Sequence, residues 1–299
     1  GDGAVTIDGE FVADNGNATA RTARGDVKVK GQMKAGTDVT VQSDEGSVTV
    51  EGSLTSGKAT LAKATDGDVS IHGDVQSGTS AAVQADNGSI SVTGDITSGT
   101  SADLSAAGGD VSVTGNVQSG TFTEAKATEG NVTVDGSLTS KDGDTVLSAS
   151  DSQKLEGKGN IRVTGSVDSA HDIQMTTDDG AIAVDGTLKA DKAVDVTTED
   201  GAITVGTSVK DGTVNAGTTA ALTTLRGPIT VRGLVTAKNG VKLQAAESGA
   251  ISVKGDLLAT ESGNAEALSK DGDIEIQGKV DSKTGAATVK TQRGSVMVS

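Results

Sequence analysis

A repeat of ~21 residues runs through this chain from end to end and leaves it few ways to fold. It is anchored on the pattern Gly-x-[Val/Ile]-x-[Val/Ile]-x-Gly. The pattern opens at Gly3, Gly25, Gly46, Gly67, Gly88, Gly109, Gly130, Gly159, Gly180, Gly201, Gly227, Gly249, Gly272 and Gly294. A period of this size marks a stacked array, in which each unit buries its apolar face only against its neighbours.

One repeat shows the local logic. Gly109-Asp110-Val111-Ser112-Val113-Thr114-Gly115 alternates apolar and polar residues, as a strand with one buried face does. Asn116-Val117-Gln118-Ser119 follows as a short second strand, and Gly120 marks a second corner. Thr123, Ala125 and Ala127 then alternate with Glu124 and Lys126 as a third strand. The same inward triplet recurs as Val39, Val41 and Ser43, as Ala102, Leu104 and Ala106, and as Val194, Val196 and Thr198. A slip of one residue would expose the whole apolar set, so the register is strongly specified.

The fold class that follows is all-β: a right-handed parallel β-helix (β-solenoid) of about fourteen coils, with three short strands per coil. It is read as a single repeat domain over residues 1–299, a monomeric rod ~65–70 Å long at a coil spacing of ~4.8 Å. Glycine is expected at corners because corners often need positive φ. Pro228 is expected to start a strand, one of the few places a sheet tolerates proline. A seven-bladed propeller fits poorly, because blades need four unlike strands. Helix is disfavoured by the Gly, Thr, Val and Ser content and the period of two.

Composition agrees with a thin core. Apolar residues make up 34% of the chain, Trp and Tyr are absent, and the aromatics are Phe11 and Phe122. A core one coil across can be filled by aliphatic and small side chains. The net charge of −16 opposes nucleic acid and anionic membrane surfaces. With no cysteine, disulfides and thiolate metal sites are excluded. No segment approaches the ~18 apolar residues of a membrane-spanning helix, so no membrane insertion is expected. Neither a signal peptide nor a polar capping unit is evident, and the expectation is a segment cut from a longer filament.

Departures from the repeat are where solenoids place function, because insertions become loops. The interval from Gly130 to Gly159 is the longest, and its extra residues give the loop Ser150–Lys158, with Leu155 as its apolar anchor. A second insertion falls within Gly206–Thr218 and lengthens the second-strand corner. Arg24-Gly25-Asp26 is the tripeptide that integrins recognise. Repeat grammar also explains it, since Gly25 is the structural glycine and Gly-Asp recurs at Gly67-Asp68 and Gly109-Asp110. Arg24, Gly25, Asp26 and Leu155 are therefore the candidate receptor contacts. Asp178-Asp179-Gly180 and Glu199-Asp200-Gly201 stack carboxylates at one corner, yet the calcium nonapeptide is missing and solvated turn acids suffice as an explanation. His72 and His171 lie on different coils. No coil gathers a catalytic constellation, so no catalytic residue, cofactor, metal or enzyme activity is expected.

The near-regular coils G-D-V-S-V-T-G-N-V-Q-S-G and G-S-I-S-V-T-G-D-I-T-S-G resemble the repeat region of filamentous haemagglutinin-type adhesins. These are bacterial exoproteins of two-partner secretion, associated with virulence. The resemblance covers essentially the whole chain; the family's amino-terminal secretion domain, with its NPNL-type motifs, matches nothing here. It implies a secreted or cell-surface location, passage through an outer-membrane transporter, and contact with host-cell receptors or glycans through the parent protein. The function expected is the structural shaft of such an adhesin. The stalk of a contact-dependent growth-inhibition toxin and a receptor-binding module in its own right stand as alternatives.

Overall fold

Alternation of β-branched and polar residues between glycine corners gives three strands in every coil. In the coil that starts at Gly88 these are Ile90–Val92, Ile96–Ser98 and Ser101–Ala106. Ile90, Val92, Ile96, Ala102, Leu104 and Ala106 are buried, and the residues between them face out. Each buried Val, Leu or Ile contributes roughly 1.5–3 kcal/mol relative to leaving it in water.

These coils build a parallel β-solenoid of about 14 turns with three sheets, its coils about 21 residues apart. The structure, a computed structural model, describes residues 2–153 and 157–299, and contains no helix among them. Stacking is in register: Val69 pairs with Ile90, and Ile90 with Val111.

The chain divides into two compact units, Gly1–Lys141 with Asp151–Gln153, and Asp142–Ser150 with Lys154–Ser299. In the first unit, the first sheet runs from Val5–Ile7 to Val132–Val134, the second from Phe11–Ala13 to Leu138–Ser140, and the third from Ala18–Arg24 to Phe122–Ala127. In the second unit, the third sheet runs from Thr145–Ala149 to Ala287–Arg293. The first sheet there ends at Val296–Val298 and the second at Val280–Ser282.

Glycine holds most corners for a reason other than positive φ. Gly25 does adopt φ +87. Gly46, Gly52, Gly67 and Gly88 carry no positive φ; their need is space. A Cβ on Gly46 would lie 2.5 Å from the carbonyl oxygen of Gly25, the equivalent residue one coil away. Along the corner after the second strand, a Cβ on Gly99 would overlap the Gly78 carbonyl, and one on Gly120 would overlap that of Gly99. Glycine is stacked on glycine, and the missing side chain is what lets backbone meet backbone.

Side chains join the coils at the corners. In the first unit, the residue after a repeat glycine donates its N–H to a side-chain oxygen at the same position one coil back. Asp26 accepts from Ser47 N–H at 2.8 Å, Ser47 from Asp68 at 3.2 Å, and Asp68 from Ser89 at 2.7 Å. Ser89 then accepts from Asp110 at 3.1 Å, and Asp110 from Asn131 at 2.8 Å. Carboxylates alternate with neutral side chains, so like charges stand two strand spacings apart, ~9–10 Å. In the second unit, Pro228 fits the same kind of corner. It directly precedes Ile229–Val231, and the residue one coil back is Ala202, which has no side-chain oxygen to offer, so the missing N–H forgoes no bond there.

Most buried hydroxyls are partnered too, Ser98 and Thr145 being exceptions. Where the last inward residue of the third strand is Ser or Thr, it donates to the carbonyl of a repeat glycine. Ser43 reaches Gly25 at 2.7 Å, Thr198 reaches Gly180 at 2.9 Å, and Ser269 reaches Gly249 at 2.9 Å. Ser56 and Ser77 both bond the Thr60 hydroxyl, at 2.9 and 2.8 Å.

Two substitutions separate stacking from conformational freedom. Gly99→Ala, which forces a Cβ into the Gly78 carbonyl, is expected to cost about 1–3 kcal/mol or more in urea denaturation. Gly16→Ala, with nothing within 4 Å of its Cβ, is expected to stay within about 0.5 kcal/mol of the parent. Equal effects at the two positions would remove stacking as the reason for glycine. A third substitution, Thr198→Val, leaves the Gly180 carbonyl without its buried donor and is expected to cost about 1–3 kcal/mol by the same measurement.

Candidate functional site

Arg24, Gly25 and Asp26 sit at a tight corner, where the third strand Ala18–Arg24 hands over to Val27–Val29. Arg24 and Asp26 are exposed, but both are engaged with the next coil. Arg24 Nε lies 3.5 Å from Glu45 Oε2, and Asp26 Oδ1 accepts the Ser47 N–H. The tripeptide is thus part of the corner ladder and does not project as a loop of its own.

Leu155 lies outside the described residues. Of its loop, Asp151 bridges antiparallel to Glu129, and Ser152 Oγ donates to Glu129 Oε1. Asp151 is buried, and its Oδ1 accepts the Gln153 N–H at 3.0 Å. Register shows that one residue of this enlarged repeat lies elsewhere. Thr123 follows Ser119 by four positions, whereas Thr145 follows Ser140 by five, so one extra residue falls between Leu138–Ser140 and Thr145–Ala149.

The second insertion lies in the first part of 206–218. It occupies residues 206–212, ahead of the strand Val214–Ala216, and Gly217-Thr218 belongs to an ordinary corner. Gly206 bridges Asp211, Thr207 N–H donates to the Lys210 carbonyl at 2.8 Å, and Thr207 Oγ1 accepts from Lys210 N–H at 3.0 Å. Val209 stands at the tip, 95% exposed.

The corner of the stacked acids is tied by backbone bonds and by one carboxylate, that of Asp200. The Asp178 carbonyl accepts the N–H groups of Glu199 and Asp200, and the Asp200 carboxylate is forked by Arg226. Arg226 also meets Glu247 at 3.1 Å, and the two carboxylates push its pKa above the ordinary arginine value. Among the described residues, no group of three or more His, Asp or Glu side chains could hold a metal ion. His72 is exposed, and His171 Nδ1 lies 3.9 Å from Asp144.

Other outward charges pair across coils. Lys28 meets Glu51 at 2.8 Å and Lys30 meets Asp8 at 2.6 Å. The first contact holds the Glu51 carboxyl below its ordinary range, and the second raises Lys30. Asp103 differs. It is half-buried on the outer face of the third sheet, in register with Ala82 on one side and Glu124 on the other. Burial raises its carboxyl, against a hydrogen bond from Gln84 that lowers it.

Comparison with protein-family models, with curated proteins and with solved structures finds no match to the chain.

The Asp103 environment gives a pH dependence with a definite sign. A carboxyl raised in the folded state favours folding most below its unfolded value of 3.8, and that advantage is lost as pH rises through the folded pKa. Asp103→Asn is therefore expected to raise the urea midpoint at pH 7, with the gain vanishing below pH 3.8. A variant equal to the parent at pH 7 would mean that burial of Asp103 carries no penalty.

Proposed function

We propose that the chain is the structural shaft of a secreted or surface-exposed bacterial filamentous adhesin of the haemagglutinin type. The observation that supports this most is the inward economy of its bonding. Many corner side chains, most buried hydroxyls and most outward ion pairs are committed to the adjacent coil. A surface so occupied serves to transmit load and hold other parts at a distance. Repeat folding also suits export, because coils nucleate locally and propagate without disulfides. The link to haemagglutinin-type adhesins rests on the coil sequences G-D-V-S-V-T-G and G-S-I-S-V-T-G.

Receptor binding by the segment itself is the second reading, favoured by the exposed Arg24 and Asp26 and by the exposed tip of the 206–212 insertion. Binding of the purified chain to epithelial cells and phagocytes separates the two. A shaft is expected to bind no more than a β-solenoid control of equal charge. Saturable binding that disappears in Asp26→Glu or on deletion of Ser150–Lys158 would replace the shaft reading with a receptor module.

A further inference from the structure

Arg232 is out of keeping with the rest of this molecule. The chain has six arginines, at positions 21, 24, 162, 226, 232 and 293. Five of them meet a carboxylate one coil away: Arg21 with Asp44, Arg24 with Glu45, Arg162 with Asp185, Arg226 with Asp200, and Arg293 with Asp271. Arg232 alone among the described arginines has no such partner, although Asp and Glu total 41. Its Nε is buried and donates to nothing. A buried donor on a charged group is costly to leave unmade.

The surroundings deepen the anomaly. Val231 pairs with Val253, so the next residue along, Lys254, stacks on Arg232 one coil on. Like charges in register repel. Of the nearby carboxylates, Asp256 in the next coil accepts the Lys279 N–H at 2.9 Å, and Asp185 and Glu275, each two coils away, meet Arg162 and the Gln277 amide; Asp211, which bridges Gly206 at the insertion, makes no ion pair with Arg232. On the other side of Arg232 the stacked residue is Gly206, where the insertion begins. A Cβ there would stand 3.0 Å from the Arg232 Cβ, so the position beside the arginine carries no side chain.

We propose that Arg232 and Lys254, beside the 206–212 insertion, form a binding site for an oxyanion, a carboxylate or a phosphate group carried by a ligand. The guanidinium supplies a planar fork that matches either group with two parallel hydrogen bonds from its outer nitrogens. Lys254 adds a mobile point charge from the exposed side of the next coil. An incoming anion removes the repulsion between the two cations and gives the unpaired guanidinium the carboxylate-like partner that the other five arginines have. The site is independent of the shaft reading and stands or falls without it.

The test reads the arginine Nε–H resonances of the whole chain in 15N-resolved NMR, with Arg232→Lys assigning the signal. Inorganic phosphate, acetate and chloride are titrated at one ionic strength. Phosphate, acetate or both are expected to move the Arg232 signal saturably, leaving the five paired arginines in place. Lys254→Gln is expected to weaken that binding about tenfold. A response to phosphate alone assigns a phosphate-type ligand, and a response to acetate assigns a carboxylate. No shift, a shift equal to that in chloride, or equal shifts of all six arginines would overturn the proposal.

Discussion

The stack of glycine on glycine at each corner is the contact from which the other features follow. Parallel strands pair at a fixed spacing of about 4.8 Å. A coil can keep that spacing around three corners only if its turns come as close as its strands. At Gly46, Gly52 and Gly88 the carbonyl of the glycine one coil back occupies the place of a Cβ. The turns therefore add no thickness to the coil. With corner and strand at one pitch, equivalent residues fall over one another, and the side-chain ladders become possible.

Those ladders explain why so acidic a chain can stack its acids. Asp26, Asp68 and Asp110 accept backbone N–H bonds and are separated by Ser47 and Ser89. A hydrogen bond to a charged acceptor is stronger than one between neutral groups, and the intervening serines dilute the repulsion. The acids at these corners thus contribute to stacking.

The fold was legible because the repeat supplies it many times over. A degenerate coil such as that of Ala265–Asp271 is readable from its neighbours, and the inward triplets at Val39, Ala102 and Val194 are buried as their alternation requires. Where the repeat breaks, less could be read. The insertion at 206–212 could be bounded only to 206–218, since a Gly-rich stretch gives no sign of where one corner ends and the next strand begins. Corner glycines read as positive-φ residues because that need is local, whereas a clash with the preceding coil is visible only in three dimensions. Of the candidate contacts, Arg24 and Asp26 have their places in the ladder. Arg232 gave no signal, because an arginine without a partner looks in sequence like any other.

The corner at Pro228 is fastened differently from the Asp26–Asn131 ladder. Across Ala202, Pro228 and Ala250 the first-corner ladder lacks side-chain oxygens, and there Arg226 spans Asp200 and Glu247. The usual link at this corner is a short hydrogen bond to backbone. The substitute is a partly exposed ion triad, whose strength falls as mobile ions screen it. Ionic strength therefore acts on this molecule unevenly. Brine that leaves the Asp26–Asn131 corner closed loosens the one at Pro228, a salt-tuned seam in the stack.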